Sequence, residues 1–212
     1  KLLKSNNKVK AFIKYNSSNN IGWLSYIDKK YIKNLTICMG DIKDYDSVEN
    51  AISDCNIIYN LAAMISVQYS FKYPQSFLDT NVYGLMNLLR AANKNKKKIK
   101  KIIQVSSSEV YGNLILDKKK KYLKETDVLI AESPYAASKI AADNLTLTLY
   151  KNYGLPITIA RPFNTYGPRQ SMRAIIPTII AQLVKDPTKP ITLGNLNSSR
   201  DFVFVEDTVE AL

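Results

Sequence analysis

The sequence predicts a doubly wound α/β fold, in which helices cover both faces of a parallel β-sheet. Short apolar runs rich in β-branched residues alternate along the chain with longer segments of helical period, and this alternation is typical of βαβ units. The run NIIYNLAA at 56–63 is almost continuously apolar, as a strand buried on both faces requires. Short motifs of polar or small residues follow the predicted strands, at the edge where such sheets bind their ligands.

The predicted elements alternate in chain order. We expect strands at 9–13, 35–39, 56–61, 99–106 and 157–161, and helices at 47–53, 76–93 and 135–153. Ser133 and Pro134 precede the last of these helices, and a Ser-Pro pair is a helix-start signal. The chain opens on KLLKSNNKVKAF and closes on VEDTVEAL, which resemble the end of one helix and the middle of another. We therefore expect a fragment whose sheet lacks its first strand.

The strand ends carry motifs that together favour a dinucleotide cofactor. These motifs are GDI at 40–42, NLAA at 60–63, SSSE at 106–109 and RPFNTYGPR at 161–169. Ala62 and Ala63 are small enough to let a flat cofactor lie close to the backbone, and Asp41 could accept a hydrogen bond from an exocyclic amine. Taken singly, each motif is explained by a turn or by tight packing. The glycine-rich phosphate loop of a Rossmann domain does not occur in the sequence, and we expect it upstream of Lys1.

The net charge of +12 invites comparison with nucleic-acid-binding proteins. Most of the excess lysines lie at 93–101 and 117–125, which we predict to be loops. Tyr122 is the one aromatic residue in these segments, so they lack the stacking platforms that bind single-stranded nucleic acids. We expect solvated lysine loops and no nucleic-acid partner.

Composition and apolar patterning indicate a globular cytoplasmic protein with no membrane segment. The 212 residues, 46% of them hydrophobic, suffice for one full domain and part of a second. The apolar run at 173–184 is interrupted by an arginine, a proline and a glutamine and is too short to span a bilayer. The first residues lack the pattern of a secretion signal. Cys38 and Cys55 have no C-x-x-C spacing and histidine is absent, so we expect reduced thiols and no metal site.

Tyr135 and Lys139 are four residues apart in SPYAASK and therefore share one face of the predicted helix. A neighbouring ammonium lowers the pKa of a phenol, because it favours the charged form. The pair can thus act as a base near neutral pH and remove the proton of an alcohol during hydride transfer. Y-x-x-x-K alone is a weak signal, since such pairs are common on solvated helix faces. VSSSEVYG before it and RPFNTYGPR after it make it specific.

The motif order GDI, NLAA, SSSEVYG, SPYAASK, RPFNTYGPRQ and RDFVFVEDT resembles the extended short-chain dehydrogenase/reductase superfamily, in its NAD-dependent epimerase/dehydratase branch. Within that branch the chain most resembles nucleotide-sugar 4,6-dehydratases, particularly those of legionaminic-acid-type nonulosonate synthesis, through YNSSNNIGWL, RPFNTYGPRQSMRAIIPTII and LGNLNSSRDF. The resemblance implies a Rossmann-like NAD(P)-binding domain at 1–162 and the beginning of a small substrate-binding region at 163–212. Within the latter, 201–212 would return toward the Rossmann core. It also implies a homodimer of the full-length protein.

The resemblance assigns roles to matching positions. Tyr135 would be the oxidation base, Lys139 its pKa-setting partner and a ribose ligand, and Ser107 the hydroxyl that polarises the reacting oxygen of the sugar. The further cofactor-binding residues would fall into three groups. Asp41 and Ile42 would contact the adenine, and Leu61, Ala62 and Ala63 would contact the central region of the cofactor. Asn81 and Phe163 would contact the inner end of the cofactor. The residues facing the nucleotide diphosphate of the substrate would be Asn164, Arg173 and Arg200.

Glu109 favours dehydration over epimerisation. Oxidation of C4 of a hexose acidifies the hydrogen on C5, and a carboxylate beside it can abstract that proton while the C6 hydroxyl departs as water. An epimerase needs no such base, and in sugar epimerases of this superfamily the position two residues beyond the catalytic hydroxyl is usually small and apolar. The alternative is that Glu109 is a surface residue at a strand end.

Three features depart from the family pattern. Ser108, which we include among the catalytic residues, stands where dTDP-glucose dehydratases carry an aspartic acid, whereas GDP-mannose dehydratases resemble the Ser-Glu pair of this chain. Leu85 follows Gly84 where the family usually has threonine. No Asp or Glu follows the strand at 9–13 to bind a ribose 2′-hydroxyl. Lys14 could instead accept a 2′-phosphate, so we expect NAD and leave NADP open.

Three functions stay open on the sequence alone. The first is a lyase that converts a nucleotide-activated hexose, UDP- or GDP-N-acetylglucosamine, to its 4-keto-6-deoxy form with internally recycled NAD(P). The second is a nucleotide-sugar 4-epimerase on the same scaffold, which Glu109 disfavours. The third is a non-catalytic dinucleotide-binding protein, which the intact set of Ser107, Tyr135 and Lys139 disfavours.

Overall fold

A computed structural model describes residues 1–113, 122–194, 196–197 and 199–212. Most of the lysine-rich segment at 117–125, for which we predict a loop, lies outside the described residues. The chain divides into two compact units, Lys1–Arg161 and Pro162–Leu212. The first unit contains the α/β layers, and the second contains a short two-stranded sheet with two helices.

The first unit contains parallel strands arranged in two sheets. The strands are β1 (Val9–Lys14), β2 (Leu35–Gly40), β3 (Ile57–Asn60), β4 (Lys101–Val105) and β5 (Ile157–Ala160). β1 pairs with β2, and β4 lies between β3 and β5, with every pairing parallel. The predicted strands are found within two residues of their expected bounds. In the described part of the chain β1 and β3 each pair with a strand on one side only, and the expected additional strand stays a prediction.

Helices lie between these strands. They are α1 (Lys29–Ile32), α2 (Tyr45–Ile52), α3 (Val67–Lys72), α4 (Pro74–Phe77), α5 (Gly84–Lys94) and α6 (Pro134–Tyr153). The helix predicted at 76–93 is not regular, because a π-helical segment, Leu78–Tyr83, joins α4 to α5. Such segments are rare and are frequent at functional sites. Short 3₁₀ helices occur at Gly22–Tyr26 and Ser108–Tyr111.

The ends of α6 follow from its local sequence. The Ser133 hydroxyl accepts a hydrogen bond from the Ala136 amide at 3.1 Å, and Pro134 occupies the first turn, where no amide hydrogen is needed. Gly154 ends the helix with φ 65°, the left-handed conformation that glycine adopts without strain. The buried residues of α6 include several polar ones, namely Ser138, Lys139, Asp143 and Thr146. This helix therefore presents ionisable groups to the interior as well as apolar ones.

The core of the first unit lies between α2, α5, α6 and β4. Its buried members are Val48, Ile52, Leu85, Leu88, Leu89, Ala91, Ala92, Ile99, Ile102 and Ala142. Gly84 at the start of α5 allows close packing, because a Cβ there would lie 2.7 Å from Ile42 Cγ2. One turn later, Asn87 Nδ2 donates to the carbonyls of Ile42 at 3.2 Å and Lys43 at 2.8 Å. These contacts hold the loop after β2 against α5.

The second unit is small. In it, β6 (Asn164–Tyr166) pairs in parallel with β7 (Phe202–Phe204), and the helices are α7 (Ile175–Lys185) and α8 (Val205–Ala211). The helical pattern of VEDTVEAL is found as α8. Across the described residues of both units, no helix is both long and apolar enough to cross a membrane.

Candidate active site

The candidate site begins where β4 ends. After Val105 the chain turns into the 3₁₀ helix Ser108–Tyr111, and the Ser107 hydroxyl caps this helix by accepting from the Glu109 amide at 3.2 Å. The Ser107 hydroxyl also acts on the Tyr135 phenol and lowers its pKa, and Lys139 Nζ of α6 donates to the Val105 carbonyl at the end of β4 at 2.9 Å. The end of β4 and the first turn of α6 therefore meet, as the motif order predicts.

Tyr135 is 6% exposed. The ring of Phe77 packs edge-on against it, with centroids 6.2 Å apart. Burial raises the pKa of the Tyr135 phenol, the Ser107 hydroxyl lowers it, and the charge of Glu109 raises it. Ser107 and Glu109, two of the predicted catalytic residues, are thus the groups that shift the pKa of a third, Tyr135.

Lys139 lies one helical turn after Tyr135 and is 4% exposed. Its ammonium donates to the Val105 carbonyl at 2.9 Å. Burial lowers the pKa of Lys139 to about 8, while the charge of Asp143 raises it. The expectation that Lys139 lowers the pKa of Tyr135 is wrong for this structure, because Lys139 is not among the groups that shift this pKa. The net direction is upward, since burial outweighs the effect of Ser107.

The loop after β3 presents small residues at the surface. Leu61 and Ala62 are exposed and Ala63 is half-buried. The buried side chain of Asn60 holds this loop by donating to Gln104 Oε1 at 2.7 Å and accepting from the Ala62 amide at 3.3 Å. An open, small-residue platform on a fixed backbone fits the flat body of a dinucleotide.

Asn81 lies in the π-helical segment and is 3% exposed. Its amide oxygen accepts from the Met64 amide at 2.8 Å, and its nitrogen donates to the Met64 carbonyl at 3.1 Å and to Ser138 Oγ at 2.9 Å. Ser138 Oγ in turn donates to the carbonyl of Tyr135 at 2.7 Å. Asn81 therefore joins the loop after β3 to the first turn of α6, and its cofactor contact stays a prediction.

The predicted adenine residues follow β2. The Asp41 carboxylate accepts from the Lys43 amide at 2.9 Å and stays partly exposed, and Ile42 is half-buried. Lys14, the last residue of β1, is exposed, and Asn16 Oδ1 accepts from the backbone amide of Asn20 at 2.9 Å. The Asn16 side chain is thereby used to shape its own turn.

The remaining predicted residues belong to the second unit. Phe163 is half-buried, and Asn164 begins β6, where its amide donates to the Asp201 carbonyl at 3.1 Å. Arg173 and Arg200 are exposed, with contacts to Ser171 and Ser199. Their roles toward cofactor and substrate stay predictions.

An ion pair that the sequence reasoning missed lies behind the site. Asp143 Oδ2 accepts from Arg161 Nε at 2.9 Å, and Arg161 Nη1 donates to the Tyr111 hydroxyl at 3.1 Å. The sequence does indicate that Lys139 and Asp143 lie near each other, since a spacing of four residues places both on one helix face. The sequence does not predict the pairing of Asp143 with Arg161, because the two residues are 18 positions apart.

The parallel sheet, the small-residue platform and the buried Tyr–Lys pair define a Rossmann-like short-chain dehydrogenase/reductase domain. The chain belongs to the GDP-mannose 4,6-dehydratase family, whose family model matches residues 1–212. This membership confirms the epimerase/dehydratase resemblance and the α/β fold class expected from the sequence.

Individual relatives include both dehydratases and epimerases. The chain is 34% identical over 191 residues to the low-salt glycan biosynthesis protein Agl12 of Haloferax volcanii, covering 90% of this chain and 57% of the relative. The structure of DesIV, a dTDP-glucose 4,6-dehydratase from Streptomyces venezuelae with NAD and TYD bound, superposes with a TM-score of 0.83 at 28% identity, covering 96% of this chain and 61% of that one. A UDP-N-acetylglucosamine 4-epimerase from Methanobrevibacter ruminantium M1 gives a TM-score of 0.79 at 32% identity, covering 94% and 63%. The chain spans about half the length of the curated relatives it matches. NAD in DesIV agrees with the cofactor expected from the sequence.

Proposed function

We propose that this chain belongs to an NAD-dependent nucleotide-sugar 4,6-dehydratase. The observation that carries the proposal is the position of Glu109 beside Ser107 and Tyr135, where its charge acts on the phenol. A carboxylate at this place supplies a base that an alcohol oxidation or an epimerisation does not require. Its position near the buried phenol disfavours the alternative of an unrelated surface glutamate.

NAD fits the residues of the first unit. Leu61, Ala62 and Ala63 form an open platform, and Lys139 provides a buried ammonium one helical turn from Tyr135. These residues would hold the cofactor, with Asp41 and Ile42 toward the adenine. Bound NAD supplies the acceptor for the hydride of C4 and the donor that returns it to C6.

The chain's own residues account for the proton transfers. Ser107 donates a hydrogen bond to the C4 oxygen, and Tyr135 takes the hydroxyl proton of C4 with its phenolate stabilised by the charge of Lys139. Glu109 then removes the proton of C5, acidified by the C4 ketone, and the C6 hydroxyl takes this proton and leaves as water. C5 receives a solvent-derived proton when the hydride returns to C6. Ser108 lies beside Glu109 on the 3₁₀ helix and is proposed to assist this departure.

We propose UDP- or GDP-N-acetylglucosamine as the substrate. The support is the resemblance of YNSSNNIGWL and LGNLNSSRDF to dehydratases of nonulosonate synthesis. Asn164, Arg173 and Arg200 are proposed to face the diphosphate. A homodimer of the full-length protein belongs to the same proposal, and the exposed apolar side chains of α6, namely Leu147, Tyr150 and Tyr153, support it.

A 4-epimerase is the second candidate, since an epimerase is among the structural relatives at 32% identity. Both reactions begin with oxidation of C4, for which Ser107, Tyr135 and Lys139 suffice. They differ at C5, where only dehydration needs a base. Glu109 is therefore the residue whose substitution separates them.

Glu109→Gln in the full-length protein tests the proposal. We expect C4 oxidation to proceed and loss of water to stop, so that reduced nicotinamide and a 4-keto hexose with its C6 hydroxyl accumulate on the enzyme. The absorbance of the reduced nicotinamide and mass spectrometry of the bound sugar measure this, with dTDP-glucose, UDP-N-acetylglucosamine and GDP-N-acetylglucosamine as substrates. The matched control is Glu132→Gln, which neutralises an exposed glutamate close in sequence.

The wild-type reaction run in deuterated water provides an independent test of the proposal. A dehydratase places solvent deuterium at C5 of a 4-keto-6-deoxy product, because the abstracted proton exchanges before reprotonation. A product that keeps its C6 oxygen and is inverted at C4 would refute the dehydratase and leave the epimerase.

A further inference from the structure

Gln104 is a buried amide that the proposed reaction does not use. It lies in β4 opposite Asn60, the last residue of β3, and the two residues are partners in the parallel register. Asn60 is 6% exposed and Gln104 is 2% exposed. Burial of an amide is costly unless its hydrogen bonds are made, so the partners of this pair indicate what it does.

The hydrogen bonds of the two amides form a continuous series. Gln104 Nε2 donates to the Val105 carbonyl at 3.3 Å, and Gln104 Oε1 accepts from Asn60 Nδ2 at 2.7 Å. Asn60 Oδ1 in turn accepts from the Ala62 amide at 3.3 Å. Lys139 Nζ donates to the same Val105 carbonyl at 2.9 Å. The series therefore joins the carbonyl that holds the proposed catalytic lysine to the loop proposed to bind the cofactor.

The Val105 carbonyl fixes the direction of every bond in this series. A carbonyl oxygen only accepts hydrogen bonds, so the nitrogen end of the Gln104 amide must face it. The oxygen end of Gln104 is then turned toward Asn60 and takes a hydrogen from its nitrogen. This leaves the oxygen of Asn60 to accept from the Ala62 amide. Reversal of either amide would place two acceptors or two donors against each other.

Joining β3 to β4 does not account for the series. The backbone ladder already pairs the two strands up to Asn60 and Gln104. Val105 lies one position beyond the last residue paired with β3, and Ala62 lies two positions after the end of β3. The series thus extends past the paired strands and into the loop that presents the small-residue platform.

We propose that Gln104 is a positioning residue for the cofactor, which orients Asn60 and thereby holds the loop after β3 in place for NAD. The inference rests on the proposed function, because it takes Leu61, Ala62 and Ala63 as cofactor-binding residues. The Val105 carbonyl anchors both Gln104 and Lys139. One backbone atom thus serves as the common reference for the cofactor loop and for the catalytic ammonium.

Gln104→Met in the full-length protein tests the inference, since it removes both hydrogen-bonding ends and keeps an unbranched side chain of similar length. Without an acceptor at position 104, Asn60 is free to reverse, and the Ala62 amide loses its fixed acceptor. We expect faster hydrogen exchange at 61–63 in the nucleotide-free protein, measured by mass spectrometry. We expect the Kd for NAD, measured by calorimetry, to rise roughly 2- to 10-fold, the net effect of one lost hydrogen bond.

Two further variants separate the proposed route from a general loss of stability. Gln104→Glu keeps an oxygen toward Asn60 Nδ2, and its protonated form also donates to the Val105 carbonyl, so hydrogen exchange and NAD affinity should stay close to wild type. Asn60→Ala removes the acceptor of the Ala62 amide directly. If Gln104 acts through Asn60, the double variant Asn60→Ala with Gln104→Met binds NAD as weakly as Asn60→Ala alone, because the effects of coupled residues do not add.

Thr146→Val is the control for stability. It removes a buried hydroxyl of α6 that donates to the Ala142 carbonyl at 2.8 Å, so it should lower the thermal midpoint and leave the exchange of 61–63 and the NAD affinity unchanged. Unchanged exchange and affinity in Gln104→Met, or additive effects in the double variant, would overturn the inference. If Gln104→Met does not fold, unchanged exchange and affinity in Asn60→Ala overturn it instead. If the wild type binds NAD and forms no 4-keto sugar, the proposed function fails, and these measurements still decide the task of Gln104.

Discussion

Tyr135 shows how strongly its surroundings decide the chemistry of a single residue. The phenol is nearly inaccessible to water and its pKa is raised by burial, with Ser107 and Glu109 acting in opposite directions. A raised pKa keeps the phenol protonated at neutral pH, so its use as a base depends on stabilisation of the phenolate. Lys139, which is buried one helical turn away, is the residue proposed for this task.

Tyr135→Phe removes the phenol oxygen and keeps the ring that packs against Phe77. We expect the turnover rate of the full-length protein to fall roughly 10²- to 10⁴-fold, because a positioned proton-transfer group is lost. Binding of NAD, followed by calorimetry, should stay close to wild type. Unchanged turnover would remove Tyr135 from the mechanism.

At the scale of elements, the site depends on a junction between three segments. The loop after β3, the π-helical segment and the first turn of α6 meet at Asn81, which bonds to both polar backbone atoms of Met64 and to Ser138. A regular helix through 78–83 would rotate Asn81 away, since each residue of an α-helix turns by about 100°. The π-helical geometry therefore serves to place this side chain.

Asn81→Ala tests the junction. Removal of the amide leaves partly buried backbone groups of Met64 without their partner, which costs about 1–3 kcal/mol. We expect the free energy of unfolding of the full-length protein, measured by urea denaturation, to fall by this amount. The control is Asn152→Ala, which deletes an exposed amide near the end of α6 and should change the free energy by about 0.5 kcal/mol or less. Equal effects of the two variants would argue against the junction.

At the scale of the whole molecule, the first unit contains the candidate catalytic residues, and the second contains the residues proposed to face the substrate diphosphate. The first unit also contains most of the residues proposed to bind the cofactor, and Phe163 of the second unit is proposed at its inner end. Under the proposed function, contact with the substrate diphosphate belongs to the second unit and proton transfer belongs to the first.

Cofactor binding provides a test at this scale. A ligand that binds only the folded state at 100 times its Kd stabilises a protein by about 2.7 kcal/mol. We expect NAD to raise the thermal midpoint of the full-length protein, and NADP at equal concentration to raise it less. A larger shift with NADP, abolished by Lys14→Gln, would assign the exposed Lys14 to a 2′-phosphate and reverse the preference. No shift with either dinucleotide would contradict the cofactor assignment.

Local sequence determined the fold class and the main catalytic candidates. Alternation of apolar runs and helical periods specifies βαβ units, and a spacing of four residues places Tyr135 and Lys139 on one face of any helix. Glu109 is a candidate for a different reason, because a carboxylate two residues after Ser107 at a strand end could act as a base.

Tertiary structure decided what depends on contacts between distant residues. The π-helical segment was not predictable, because Asn81 meets Ser138 across 57 positions, and no local period records that contact. The upward shift of the Tyr135 pKa and the pairing of Asp143 with Arg161 likewise depend on burial and on charges brought together by packing. Spacing along the chain therefore determined which groups could act together, and the low-dielectric interior created by the fold determined their protonation and their partners.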